Sequence, residues 1–115
     1  MVDAANNISE TQKGDVIILR VKGKLDATLS PNIEKKAVDL ISKEHTKLLL
    51  DLTDVSYVNS AGLRMLLSIK KQTKAAHGKF ILCALKNEVM EIIKICGFDH
   101  VLEIAKTEEE ALRQF

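Results

Sequence analysis

The stretch "YVNSAGLRMLL", residues 57–67, sets a polar Asn59–Ser60 pair, Gly62 and Arg64 into an otherwise apolar run. It reads as the start of a helix from about Ser60 to Ala76, stopped near Gly78 by a left-handed turn. At about 100° per residue, Leu63, Met65, Leu66 and Ile69 fill one broad side, while Ser60, Arg64, Ser68 and Lys71 share the opposite one. The Ser60 hydroxyl is therefore expected to face water or a partner, with Arg64 one turn further on and leaning back toward it. Three chemistries are open to such a serine. As an N-cap it stabilises the helix by about 1 kcal/mol. As a nucleophile it lacks a G-x-S-x-G elbow and a histidine with a carboxylate partner nearby in sequence. As a phosphate acceptor at a helix N-terminus, it would gain about two negative charges where backbone N–H groups and the helix dipole favour them.

Other residues of chemical interest carry less. Asp51 and Asp54, near the end of an apolar strand, resemble the position of a receiver's acceptor aspartate. The acidic pair that should hold Mg²⁺ after the first strand is missing, as is a lysine on the late strand. Cys83 and Cys96 both fall at apolar-patterned positions and read as core thiols. His45, His77 and His100 are scattered among loops, so neither a zinc site nor a disulfide is expected. No Walker loop is present.

The elements that must position these residues alternate between short apolar runs and longer amphipathic ones. A strand at about Ile8–Gln12 leads through "KGD" into "VIILRVKG", an antiparallel hairpin. "SPNIEKKAVDLISKE" is a helix with Ser30 as cap and Pro31 at its first position, with Ile33, Ala37, Leu40 and Ile41 on one face. "KLLLDL" reads as a central strand covered on both sides, followed by a loop "TDVSYV" and the Ser60 helix. "KFILCAL" is a further strand. "KNEVMEIIKICG" is a helix with Val89, Ile92, Ile93 and Cys96 inward and Gly97 as its stop. "HVLEIA" is a short strand, and Thr107 with Glu110 forms a capping box for a last helix. This order predicts one α/β domain over residues 8–115, after a disordered or loosely held tail at 1–7. Its sheet is mixed but mostly parallel, with four to five strands, right-handed crossovers and about four helices.

Composition narrows the function. With 17 basic against 16 acidic residues the formal charge is +1, giving no net attraction to nucleic acid or an anionic membrane. Three Phe, one Tyr and no Trp leave little on which to stack bases. No run is long enough to span a bilayer and the first residues do not form a secretory signal, so a cytoplasmic protein without direct membrane insertion is expected.

"VSYVNSAGLRMLL" resembles the signature of the STAS family, and specifically of bacterial anti-sigma factor antagonists. "VKGKLDATLSP" and "GKFILCALKNEVMEIIKICGFDHVLEI" extend that resemblance over nearly the whole chain. The resemblance implies a STAS domain that is a substrate and binding module, not an enzyme; no cofactor or metal is expected, and the free protein is expected to be monomeric. The resemblance implies Ser60 as phosphoacceptor, with Gly62 in the first helical turn, Asp26 in a loop approaching the same face, and Asn59 beside the acceptor; the partner-binding surface is expected to include the Leu-Asp-Ala-Thr loop with Thr28 and the exposed helix face, where Arg64 could pair with the phosphate. Asn59 stands where relatives usually carry Asp, removing a carboxylate beside the acceptor while keeping a side chain able to cap. The implied partners are an anti-sigma factor that is also a serine kinase, and a serine/threonine phosphatase. The unphosphorylated form would bind the former and free a sigma factor. A non-switching scaffold role, in a stress-sensing assembly or a membrane transporter complex, is the alternative the family offers.

Overall fold

The computed structural model describes residues 7–115. The tail expected over 1–7 lies outside these apart from Asn7, whose side-chain amide donates to the Lys22 carbonyl at 2.8 Å. Five strands form one sheet in sequence order: β1 (Ile8–Lys13), β2 (Val16–Leu25), β3 (Lys47–Val58), β4 (Lys79–Cys83) and β5 (Glu103–Ala105). The β1–β2 pair is the expected antiparallel hairpin, and β2 to β5 run parallel.

Each parallel step moves one strand along the sheet, and crossovers of one hand then place their helices on a single face. Those helices are α1 (Ser30–Ser42), α2 (Ser60–Ala75) and α3 (Asn87–Ile95). Strand alternation sorts the core accordingly. Leu48, Leu50 and Leu52 join Ile33, Ala37, Leu66, Ile69, Val89 and Ile93 in the main core beneath these helices. Ile18, Leu49, Ile81 and Cys83 point the other way, where α4 (Glu108–Leu112) supplies Ala111 and Leu112 with Phe115. No helix among the described residues is long and apolar enough to cross a membrane.

Several local expectations are corrected. The segment "TDVSYV" is strand, not loop: β3 continues to Val58 by pairing with β2 as far as Leu25↔Val58, through irregularities between Arg20 and Lys22 and between Gly23 and Lys24. Ser30 does not cap α1, because its hydroxyl is buried without a hydrogen-bond partner. Asp26 orders that entry instead, its Oδ1 accepting from the Thr28 and Leu29 N–H groups at 3.0 and 3.1 Å. At the end of α2, His77 takes the left-handed conformation (φ 59°), while Gly78 is needed for space, since a Cβ there would lie 2.1 Å from the Thr46 carbonyl oxygen. Cys83 is a core thiol, and burial pushes it up to about 12. Cys96 and Ile92 are exposed, because α3 has only two fully buried positions, Val89 and Ile93.

Candidate functional site

The site forms where two chain segments are locked together at the carboxyl ends of β2 and β3. Asn59, between β3 and α2, donates its backbone N–H to the Leu25 carbonyl at 3.1 Å. Gly62, in the first turn of α2, sits directly against the same peptide: a Cβ would lie 2.4 Å from Leu25 O, 2.7 Å from Leu25 Cβ and 2.9 Å from Val58 Cγ2. Absence of a side chain at 62 therefore brings the start of α2 onto the loop that holds Asp26 and Thr28. That loop is stiff. Beyond the two bonds to Asp26 Oδ1, Ser30 N–H donates to the Asp26 carbonyl at 2.9 Å and Asn32 Nδ2 donates to the Thr28 carbonyl at 3.1 Å.

Capping at this helix is one residue away from where a serine cap would put it. Asn59 is extended and its Oδ1 accepts from Ala61 N–H at 3.0 Å and Gly62 N–H at 3.3 Å. Ser60 is the first helical residue and exposed. Its hydroxyl is thus free of the cap, and two of the amides that could have met a phosphate already have an acceptor. The outward face predicted for α2 holds for Ser60, Arg64 and Lys71, all exposed. Ser68 is half-buried, donating to Glu34 Oε2 of α1 at 2.7 Å and accepting from Gln72 Nε2 at 3.0 Å. A cleft of about 470 Å³ opens between α1 and α2, lined by Ala27, Ser30, Pro31, Glu34, Arg64 and Ser68 among others. A cleft of equal volume beside α3, lined by Met90, Lys94 and Leu102, includes none of the residues that flank Ser60.

Asp26, Thr28, Asn59, Ser60, Gly62 and Arg64 thus belong to two directly bonded segments, joined through Leu25 at the head of the Leu-Asp-Ala-Thr loop; the sequence marked that loop but not the Leu25 carbonyl that carries the contact. Asp51 lies on the other face of the sheet. It is buried, accepts from Thr53 N–H at 2.9 Å and Thr53 Oγ1 at 2.6 Å, and neighbours Glu108 of α4. Arg20 grips Glu108 with both arms, at 2.6 and 2.8 Å. Burial, with the neighbouring Glu108, pushes the Asp51 carboxyl up, whereas Arg20 holds Glu108 down at about 2. This is the geometry of a structural ion cluster fastening α4, not of an open acceptor aspartate. Among the described residues no group of three or more His, Cys, Asp or Glu is placed to hold a metal ion.

The STAS domain model matches residues 7–111. The chain belongs to the STAS domain family. Among its relatives, the BtrV protein of Bordetella bronchiseptica is 30% identical over 100 residues, covering 87% of this chain and 86% of that one. The anti-sigma-B factor antagonist of Listeria monocytogenes is 31% identical over 97 residues, covering 84% of each chain. In structure, this STAS domain superposes on the Bacillus protein SpoIIAA, an anti-sigma factor antagonist solved in unphosphorylated and phosphorylated forms. The TM-scores are 0.74 and 0.72 at 20% and 21% identity, covering 93% of this chain and 96% and 97% of the other.

Proposed function

We propose that this STAS domain is an anti-sigma factor antagonist whose binding is turned off by phosphorylation of Ser60. The observation that carries the reading is an exposed hydroxyl, released from capping by Asn59, on a surface formed jointly by α2 and the Asp26–Thr28 loop. The names of its sequence relatives support the role.

Unmodified, the domain binds an anti-sigma factor that is also a serine kinase, and a sigma factor is freed. The kinase then transfers the γ-phosphoryl group of ATP: the Ser60 Oγ–P bond forms, the bond to the bridging oxygen breaks, ADP leaves and the hydroxyl proton passes to a base on the kinase. The chain contributes the acceptor and catalyses nothing itself. Phosphate adds about two negative charges to an interface that must desolvate on binding, so the complex dissociates. The fold persists, because the added charge lies at the positive end of the α2 dipole and outside the core. A serine/threonine phosphatase hydrolyses the ester and restores the binding form.

The test is affinity capture from native cytoplasm with wild type, Ser60→Ala and Ser60→Asp, identifying the retained proteins by mass spectrometry. Wild type and Ser60→Ala should hold a kinase-like anti-sigma factor that Ser60→Asp loses. Retention of the same proteins by all three would replace this reading with that of a non-switching scaffold.

A further inference from the structure

We infer that Arg64 is a clamp for the phosphate on Ser60, closing on it across one turn of α2 and holding it against the outer face of the helix. The inference rests on the reading of Ser60 as acceptor and adds what receives the charge once it is there. Residues four apart on a helix have Cβ atoms about 5–6 Å from each other, and the later side chain leans toward the N-terminus. An arginine can therefore lay its guanidinium fork over a phosphate on the residue one turn before it.

Two features of this site single out Arg64. First, the usual receptor for an anion at a helix start is already occupied, since Asn59 Oδ1 accepts from both Ala61 N–H and Gly62 N–H. Second, Arg64 is exposed and makes no ion pair among the described residues. Glu34, which lines the same cleft, makes no ion pair with it and accepts from the Ser68 hydroxyl at 2.7 Å. Asn59 also matters by being neutral, because an aspartate there would set a carboxylate beside the phosphate and weaken its hold on Arg64. Arg64 is thus a positioning residue that fixes how the modified serine is presented to the phosphatase and to any returning partner.

The experiment installs phosphoserine at position 60 by genetic-code expansion, so its result does not depend on a kinase recognising the protein. The second ionisation of the phosphate is followed by ³¹P NMR in the wild-type background and in Arg64→Ala, Arg64→Lys and Lys71→Ala. A guanidinium clamp at an exposed position stabilises the dianion and should lower this pKa by about 0.3–0.7 unit relative to Arg64→Ala. Arg64→Lys should fall between them, because it keeps the charge but not the fork. Lys71→Ala should match wild type. Hydrolysis of the phosphoserine by alkaline phosphatase should be about two- to fivefold faster in Arg64→Ala, as expected from losing the same pair. Equal phosphate pKa values in wild type and Arg64→Ala would overturn the clamp. Failure to find phosphate on Ser60 in native cells would instead overturn the functional reading and leave this titration standing.

Discussion

Replacing Gly62 with Ala sets two effects of opposite sign against each other. Alanine is the better helix former, and within α2 the exchange alone should stabilise by about 1 kcal/mol. Against that, the new methyl group would sit 2.4 Å from Leu25 O, 2.7 Å from Leu25 Cβ and 2.9 Å from Val58 Cγ2. Relieving the contact with oxygen needs a shift of about 0.9 Å, from 2.4 Å to an ordinary carbon–oxygen separation of about 3.3 Å. The Leu25 carbonyl cannot swing away freely, because it accepts the Asn59 N–H at 3.1 Å. Overpacking against backbone belongs at the upper end of its usual cost, about 3 kcal/mol, leaving a net loss of about 2 kcal/mol. For a domain of this size that lowers Tm by about 8 °C. With no Trp and one Tyr, far-UV circular dichroism is the suitable probe, in heat and in urea. Gly97→Ala, where φ is 76° and nothing lies within 4 Å of the added Cβ, isolates backbone strain and should cost about 1 kcal/mol. A Gly62→Ala protein as stable as wild type, or more so, would show that helix propensity wins and that the segments at the site are not held by close approach.

Three further outcomes follow from the same contacts. Asn59→Ala leaves two first-turn amides without an acceptor and should lower stability by about 1 kcal/mol in urea unfolding, whereas Asn59→Asp keeps the cap and should stay within about 0.5 kcal/mol of wild type. Ser30→Ala removes a buried hydroxyl that has no hydrogen-bond partner and should stabilise by about 0.5–1 kcal/mol; a loss of that size would mean the hydroxyl is satisfied in solution. Glu108 titrates lower in the fold, about 2 against 4.5, so its pairing with Arg20 is fully present above about pH 4.5 and lost as pH falls toward 2. Asp51 has the opposite sign: its raised value means that its ionised form costs stability, recovered as pH falls through that value. Glu108→Gln should therefore lower stability at pH 7 by about 1 kcal/mol and flatten the acid limb between pH 4.5 and 2, measured by urea midpoints across that range.

The strand and helix order was legible because each element carries a distinct hydrophobic period, and α2 buries Leu63, Met65, Leu66 and Ile69 as its spacing requires. The far half of β3 was not legible. Thr53, Asp54, Ser56 and Tyr57 are exposed, so they lack the strand's apolar alternation, and only long-range pairing with β2 holds them extended. Which residue of a polar pair caps a helix depends on the turn into it, and that turn is set by Asn59 bonding to Leu25, a contact 34 residues apart in sequence. The same holds for Gly78, whose role depends on Thr46, and for α4, which its own five residues could not assign to a face of the sheet. The site residues were recognisable as a motif. The bonds that gather them were not, because those run through Leu25 and main-chain atoms.

A phosphate on Ser60 should abolish binding to the anti-sigma partner without unfolding the domain. Isothermal titration of that purified partner with unmodified and Ser60-phosphorylated protein tests it directly, with far-UV spectra confirming that both forms are folded. Phosphorylation should weaken binding at least about 100-fold, roughly 2.7 kcal/mol. Equal affinity of the two folded forms would contradict it.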